Sequence, residues 1–525
     1  MSGDIKSPKS LFHRVEYQSL DGTGNNPFHN KWGSVGSDLR RKGPAQYGDG
    51  ISTPAGQNRP SAREISNAVS AHPADETPND RGMSDMVYVW GQFIDHDLDL
   101  TGGGKAKEKL PIPVPKGDPQ FDPTGTGTQT IPLTRSEFDP KTGTSKDNPR
   151  QQVNQITAFL DGSMVYGSDK ARSDALRSHE GGKLKTSEGN LLPLNTMGLS
   201  NANDAHRVSD DQLFAAGDVR ANENPELTAM QTLFMREHNR IADGLKAKHP
   251  TWSDEKLFQT ARKQVQGELQ AITYNEFLPA LLGKNPLPKY QGYNPFVNPG
   301  ISNEFSTAGF RLGHSMLGDD IELTDNDGNE LPGMSLADGF FNPDVVKKNG
   351  IGSLLKGSAG GTAEEVDPIA VDSVRNFLFG PPGAGGLDLV SLNIQRGREH
   401  GLADYNTLRA SYGLPKVKSF EQITSNPDLQ KKLKDLYGSV DNIDAWVGAL
   451  SEDHVKGSST GALDRAILVD QFARLRDGDR FFYKNQFSGA ELKKIDSTKL
   501  SDIIKRNTEI SNIQDNVFFA PEETK

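Results

Sequence analysis

Apolar positions in this chain recur mainly with helical period. The run NENPELTAMQTLFMREHNRIADGLKAKHP shows it most fully: Leu227, Met230, Leu233, Phe234 and Ile241 recur at three- and four-residue steps. Asn224 is placed to cap its start, Pro225 suits the first helical position, and Glu226 complements the helix dipole. The pattern predicts a long, largely buried helix, and residues 254–278 and 462–476 repeat it. A further helix is expected over residues 85–98. Strand signals are sparse and short, and no internal repeat or heptad appears. Residues 1–80, rich in Gly, Pro, Asn and Ser, read as an extended arm over a core. Residues 102–150 are again rich in Gly, Pro and Thr, too long for an ordinary connection, and read as a functional surface insertion. The fold expected is mainly α, with long loops and few short strands.

Composition narrows what such a chain can do. Its 525 residues would allow three or four domains, although a single core of this size also occurs. A net charge of -11 argues against nucleic acid, whose binding relies on clustered Lys and Arg. No apolar run of about 18 residues is present, so no membrane span is expected. The start, MSGDIKSPKSLFHRVEYQ, lacks the apolar stretch of a secretory signal. With 0 cysteines, disulfides, thiol nucleophiles, iron–sulfur clusters and thiolate zinc sites drop out together. Chemistry must come from His, carboxylates, Arg or a cofactor.

Four segments carry candidate chemistry. In VWGQFIDHDLDLT, a helix places Gln92, Asp95 and His96 at i, i+3 and i+4 on one face, with Asp97 about 100° further round. A satisfied core histidine among solvated aspartates is the plainer reading, but Val87, Trp90, Phe93 and Ile94 make an apolar setting costly for idle charges. In AAGDVRANENPEL, Arg220 and Glu223 precede the long helix and could share a cavity or form a surface salt bridge. In FRLGHSML, His314 lies three residues after Arg311; a neutral imidazole there suits an axial haem ligand, with Arg311 available to a propionate. In TAFLDGSMVYGS, Thr157, Phe159, Asp161 and Ser163 alternate. An extended backbone would gather three side-chain oxygens and one carbonyl, and Asp97 could complete an all-oxygen Ca²⁺ set; a strand with polar residues facing solvent competes.

Taken in order, WGQFIDHDLDLT, FLDGSMVYGS, GDVRANENPELTAMQTLFMREHNRIA, FRLGHSML, SLNIQRGREHGLADYNTLRASYGL and FARLRDGDRFFY closely resemble the animal-type haem peroxidases, the group containing myeloperoxidase and lactoperoxidase. The matching segments span residues 90 to about 483. The resemblance implies one large helical haem-peroxidase domain over residues 81–525, with the 1–80 arm packed on it. It implies that His96 is the distal histidine, Gln92 its neighbour over the haem, and Arg220 the distal arginine. It makes His314 the proximal iron ligand, Asn393 its hydrogen-bond partner, and Arg311 and Arg396 the propionate partners. Asp95 and Glu223 match carboxylates esterified to haem b, while Asp97, Thr157, Phe159 through its carbonyl, Asp161 and Ser163 match calcium ligands. His238 and His400 also match family positions and are given structural roles.

The activity implied is peroxide-driven oxidation of bromide, iodide, thiocyanate and small aromatic donors. Asn224 stands where myeloperoxidase has a methionine linked to haem through sulfur, so that link and chloride oxidation are not expected. An acidic chain without cysteine points to a microbial, bacterial member. Calcium use without cysteine suits export without a cleaved signal; a cytoplasmic location stays open. Two rivals remain: a fatty-acid dioxygenase of the same superfamily, disfavoured because Arg311 replaces its tyrosine, and a calcium-stabilised adhesion or matrix protein without catalysis.

Overall fold

A computed structural model describes residues 16–73, 77–105 and 107–522. Of the expected arm, residues 1–15 and 74–76 lie outside the described residues, as do residue 106 of the insertion and 523–525 at the end. The fold is mainly helical, with two small antiparallel pairs: Ile112–Pro113 with Thr130–Ile131, and Asp320–Thr324 with Glu330–Ser335. One contiguous apolar core runs from Leu39 to Phe518. The helical expectation holds because burial dominates: the long apolar stripes have enough length to fill such a core.

The longest helix, Pro225–Lys248, starts where the sequence places it. The Asn224 side chain accepts from the Leu227 amide at 2.8 Å, and Pro225 occupies the first turn. Against it packs the helix Met86–Leu98, with Trp90 and Phe93 meeting Phe234 at ring-centroid distances of 5.7 and 5.3 Å. The third predicted helix begins at Asp254, runs to Ile272, then widens into a π-turn, Thr273–Phe277, before continuing as Leu278–Leu282. The widened turn is used: Thr273 accepts the Trp90 indole N–H at 3.2 Å, and Phe277 turns toward the cavity described below.

The arm contains an element that its composition hides. Ser61 caps a helix, Ala62–Val69, whose buried positions include Arg63 and Ser66, so its apolar period is interrupted. Arg63 donates to Asp118 in the insertion at 2.7 Å and to Asp388 at 2.8 Å. Asp388 in turn caps the helix Leu389–Glu399. Arm, insertion and the helix carrying Asn393 and Arg396 are thus tied at one buried cation. Arg63→Ala is expected to lower stability by about 3–5 kcal/mol, because it strands two buried carboxylates. An unchanged urea midpoint would contradict this.

Candidate active site

Eight of the residues singled out for the haem line one cavity of about 330 Å³: Gln92, Asp95, His96, Arg220, Glu223, Arg311, His314 and Arg396. A larger cleft of about 1570 Å³, between Ser178 and Glu509, holds none of them. The chemistry belongs to the smaller space, because the titratable groups that converge there are buried and strongly shifted by that burial.

The helix Met86–Leu98 presents Gln92, Asp95 and His96 to this cavity and turns Asp97 away, as its period requires. His96 is buried; its Nδ1 lies 3.7 Å from Asp218 and its Nε2 3.9 Å from Glu223. Burial, reinforced by the Arg220 cation, lowers its pKa to about 3, so the ring is neutral at neutral pH. Gln92 donates to Glu223 at 2.8 Å and accepts from Asn224 at 2.8 Å, so its amide links the two helices.

Arg220 does not pair with Glu223. Its Nε and Nη2 grip Asp218 at 2.8 and 2.9 Å, and Nη2 also donates to the Asp99 carbonyl at 2.8 Å. Of the two readings, the shared cavity holds and the i, i+3 surface pair does not, because Asp218, two residues back, offers Arg220 a bidentate partner inside the protein. Burial raises Asp95 well above the ordinary carboxylate range, with Asp99 adding to it, and raises Glu223 to about 7.

A second group lines the same space from the turn Gly309–Ser315 and the helix Leu389–Glu399. The Asn393 amide lies against His314 Nδ1, Oδ1 at 3.2 Å and Nδ2 at 2.9 Å. Turning the amide oxygen to the ring makes Nδ1 the donor and leaves the Nε2 lone pair free. Burial, then the Arg311 cation, lowers His314 to about 3. Arg311 donates to the Ser306 carbonyl at 2.9 Å, and burial with the neighbouring Arg396 lowers it to about 10. Arg396 donates to the Thr134 carbonyl at 2.8 Å. Two cations crowded at one cavity wall call for an anion.

The fourth segment is neither a strand nor solvent-facing. Residues 158–162 bend, Gly162 takes a positive φ of 77°, and Ser163–Tyr166 forms a helical turn. Thr157, Phe159, Asp161 and Ser163 are all buried, and Asp97 faces them. Ser163 Oγ donates to Asp97 at 2.9 Å, as does the Gly162 amide at 3.1 Å. Asp161 Oδ2 is buried without a hydrogen-bond partner, and among the described residues no donor reaches the Phe159 carbonyl. His238 and His400 lie elsewhere, each with both ring nitrogens hydrogen-bonded: His238 to Tyr166 and the Gly182 carbonyl, His400 to Asn303 and Ser136.

Residues 17–518 match the animal haem peroxidase family. The chain belongs to that family. It is 38% identical to peroxinectin A of Dictyostelium discoideum over 97% of each chain, and 36% identical to lactoperoxidase of Mesocricetus auratus over 96% of this chain and 77% of that one. It covers only 35% of the Drosophila melanogaster dual oxidase that it also matches. The solved structure of peroxidase A from D. discoideum superposes with a TM-score of 0.90 at 36% identity, covering 96% of this chain and all of that one. A fatty acid alpha-dioxygenase of Oryza sativa, at TM-score 0.80 and 20% identity over 97% of this chain and 88% of that one, shares the fold alone.

An animal haem peroxidase needs a haem site, and these residues fit one: a neutral imidazole with a free Nε2, two neighbouring arginines, of which Arg311 is hydrogen-bonded, among the described residues, only to neutral oxygens and Arg396 lies 3.9 Å from Glu399, and an apolar wall including Phe277 and Phe310. Sequence reasoning missed Asp218, which grips Arg220, and Asp99, a buried cavity carboxylate raised to about 6 by burial. The signal for Asp218 was its place two residues before the arginine, where a carboxylate can fold back onto a guanidinium.

Proposed function

We propose that this peroxidase uses hydrogen peroxide to oxidise bromide, iodide and thiocyanate as well as small aromatic donors. The observation carrying this is the single cavity lined by His96, Arg220 and His314, with Asp218 behind the first two and Asn393 behind the third. His314 would hold the haem, with Arg311 and Arg396 available to its carboxylates, and the haem would supply the redox centre.

The protein side chains do the proton work. Neutral His96 takes a proton from the near oxygen of peroxide and returns it to the departing one. Arg220 stays charged and stabilises negative charge developing on the departing oxygen, with Asp218 fixing its plane. The Asn393 amide holds the His314 ring as a neutral partner, which gives less electron push than a carboxylate and favours a higher iron potential. That suits halides. Asn224 is committed to capping Leu227 and to Gln92, in keeping with no third link to haem and no chloride oxidation.

Asp95 and Glu223 are assigned as ester tethers. Both are raised by burial, so esterification would remove the cost of charging them in this cavity. The double variant Asp95→Val with Glu223→Gln is expected to release haem into acidified solvent; haem still on the denatured chain would contradict the tethers. Asp97, Thr157, the Phe159 carbonyl, Asp161 and Ser163 are assigned to Ca²⁺, supported by the unpartnered Asp161 oxygen. A calcium-dependent protein of this kind suits an extracellular setting. Asp218→Asn is expected to slow reaction with peroxide by about 10–100-fold at unchanged haem content, as loss of an orienting partner does. An unaltered stopped-flow rate would remove Asp218 from the mechanism.

The test is peroxide-dependent turnover of bromide, iodide, thiocyanate and a phenol, run beside oxygen uptake with linoleate. Halide turnover is expected. Phenol turnover alone would sink the halide reading, robust linoleate uptake would favour the dioxygenase, and an inert haem complex would favour an adhesion role. Arg311, three residues before His314, argues against the dioxygenase, and five retained cavity groups argue against adhesion.

A further inference from the structure

Away from the haem cavity, Asp80, Glu365 and His454 bring one ligand atom each to within 4.8 Å of one another. They come from three distant segments: the approach to the helix Met86–Leu98, the loop after the chain leaves Gly352–Gly360, and the loop after the helix Ala445–Ser451. Exposed carboxylates often gather without an ion, so the histidine is what matters. His454 donates from Nε2 to the Val366 carbonyl at 2.6 Å. In the neutral ring that proton fixes the tautomer and leaves Nδ1 a lone pair, 4.0 Å from Glu365 Oε1. Two acceptors then face each other across a gap. A carbonyl on the far nitrogen is the arrangement that orients imidazole toward a metal.

Glu365 is equally fixed. Its Oε1 accepts from Asn79 at 2.9 Å and from the Val366 amide at 2.8 Å, and its Oε2 accepts from the Asp80 amide at 3.0 Å. Asp80 is exposed, and among the described residues its carboxylate has no hydrogen-bond donor. We propose that Asp80, Glu365 and His454 form a binding site for a divalent ion of the zinc class, with water completing the coordination. One imidazole with two carboxylates suits a borderline ion such as Zn²⁺ better than Ca²⁺, which takes six or more oxygens. The site is distinct from the buried, all-oxygen set around Asp97.

An ion here would act as a clamp. Asn79 donates its amide to the Ala363 carbonyl at 2.8 Å, and Ala363 donates to the Met83 carbonyl at 2.9 Å, just before the histidine-bearing helix begins. Glu364, beside the ligand Glu365, donates to the carbonyl of Met316, two residues after His314. His454 would join a third segment to these two.

The test titrates full-length, haem-loaded protein with ZnCl₂ in saturating Ca²⁺, by calorimetry and metal analysis. One Zn²⁺ per chain is expected, with a higher melting temperature on binding. His454→Ala and Asp80→Asn should each weaken binding by more than about tenfold and abolish the melting shift, with Soret band and calcium content unchanged. Asp80→Asn breaks no hydrogen bond of the fold, so it tests the site even if His454→Ala folds poorly. No bound Zn²⁺ in the wild type, or equal affinity in the Asp80→Asn variant, would overturn the proposal.

Discussion

Replacing His96 with alanine is expected to slow the reaction with hydrogen peroxide by about 10²–10⁴-fold while haem stays bound. The size of the effect follows from what surrounds the ring. His96 is held neutral, with a pKa lowered to about 3, and faces the cavity between Glu223 and Asp218. Neither neighbour replaces it. Glu223 is the carboxylate assigned to a haem ester, and Asp218 is consumed by two hydrogen bonds from Arg220. In the proposed site haem retention would rest on other residues, chiefly His314, Arg311 and Arg396. The fold should also tolerate the change, because His96 Nδ1 has no hydrogen-bond partner to strand. Stopped-flow absorbance of the Soret band against peroxide concentration gives the rate. A rate equal to wild type, in a variant of normal haem content, would refute the assignment.

Asp97→Ala should lower stability by about 3–5 kcal/mol, together with loss of the calcium proposed to bind there. Without a cation, Asp97 is pushed well above the ordinary carboxylate range, by burial first and then by Asp161. An ion between them would remove that conflict. The alanine variant removes one ligand and also strands the Gly162 amide and the Ser163 hydroxyl that donate to Asp97. Catalysis should fall too, for a reason visible in the packing. Asp97 sits beside His96 in one helix, and the same 161–166 segment holds the loop of Arg220: Asp218 donates its amide to the Met164 carbonyl at 3.0 Å. Gly217 packs so closely that a Cβ would strike the Ser163 carbonyl and the Gly167 nitrogen. His96 and Arg220, the two groups proposed to handle peroxide, therefore both rest on the segment proposed to bind calcium. Metal analysis and a urea melt, with and without chelator, check this. Chelator should destabilise the wild type and leave the variant unmoved, whereas an undiminished calcium content in the variant would remove the site.

Legibility followed local chemistry. The helix Pro225–Lys248 could be read because its cap, first-turn proline and apolar stripe are all encoded within a few residues of one another. The helix Ala62–Val69 could not, because its buried face carries Arg63, whose partners Asp118 and Asp388 lie 55 and 325 residues away. The same division runs through the site. Gln92, Asp95 and His96 share a face by helical period alone, and that period also turns Asp97 away. The alternation at residues 157–163 implied an extended strand, and the backbone instead bends at Gly162, because the oxygens must curl around Asp97 rather than line a ladder.

The order of motifs along the chain was enough to assign the family and the haem that it implies, and local spacing was enough to put Gln92, Asp95 and His96 on one face. Tertiary structure decided the partnerships. It gave Arg220 to Asp218 rather than Glu223, set Gln92 between Glu223 and Asn224, and brought Asp80, Glu365 and His454 together from three loops. The physical reason is common to the first two. A side chain's partner is chosen by which oppositely polar group is buried within about 3 Å of it, and burial is a property of the packed chain that no single segment encodes.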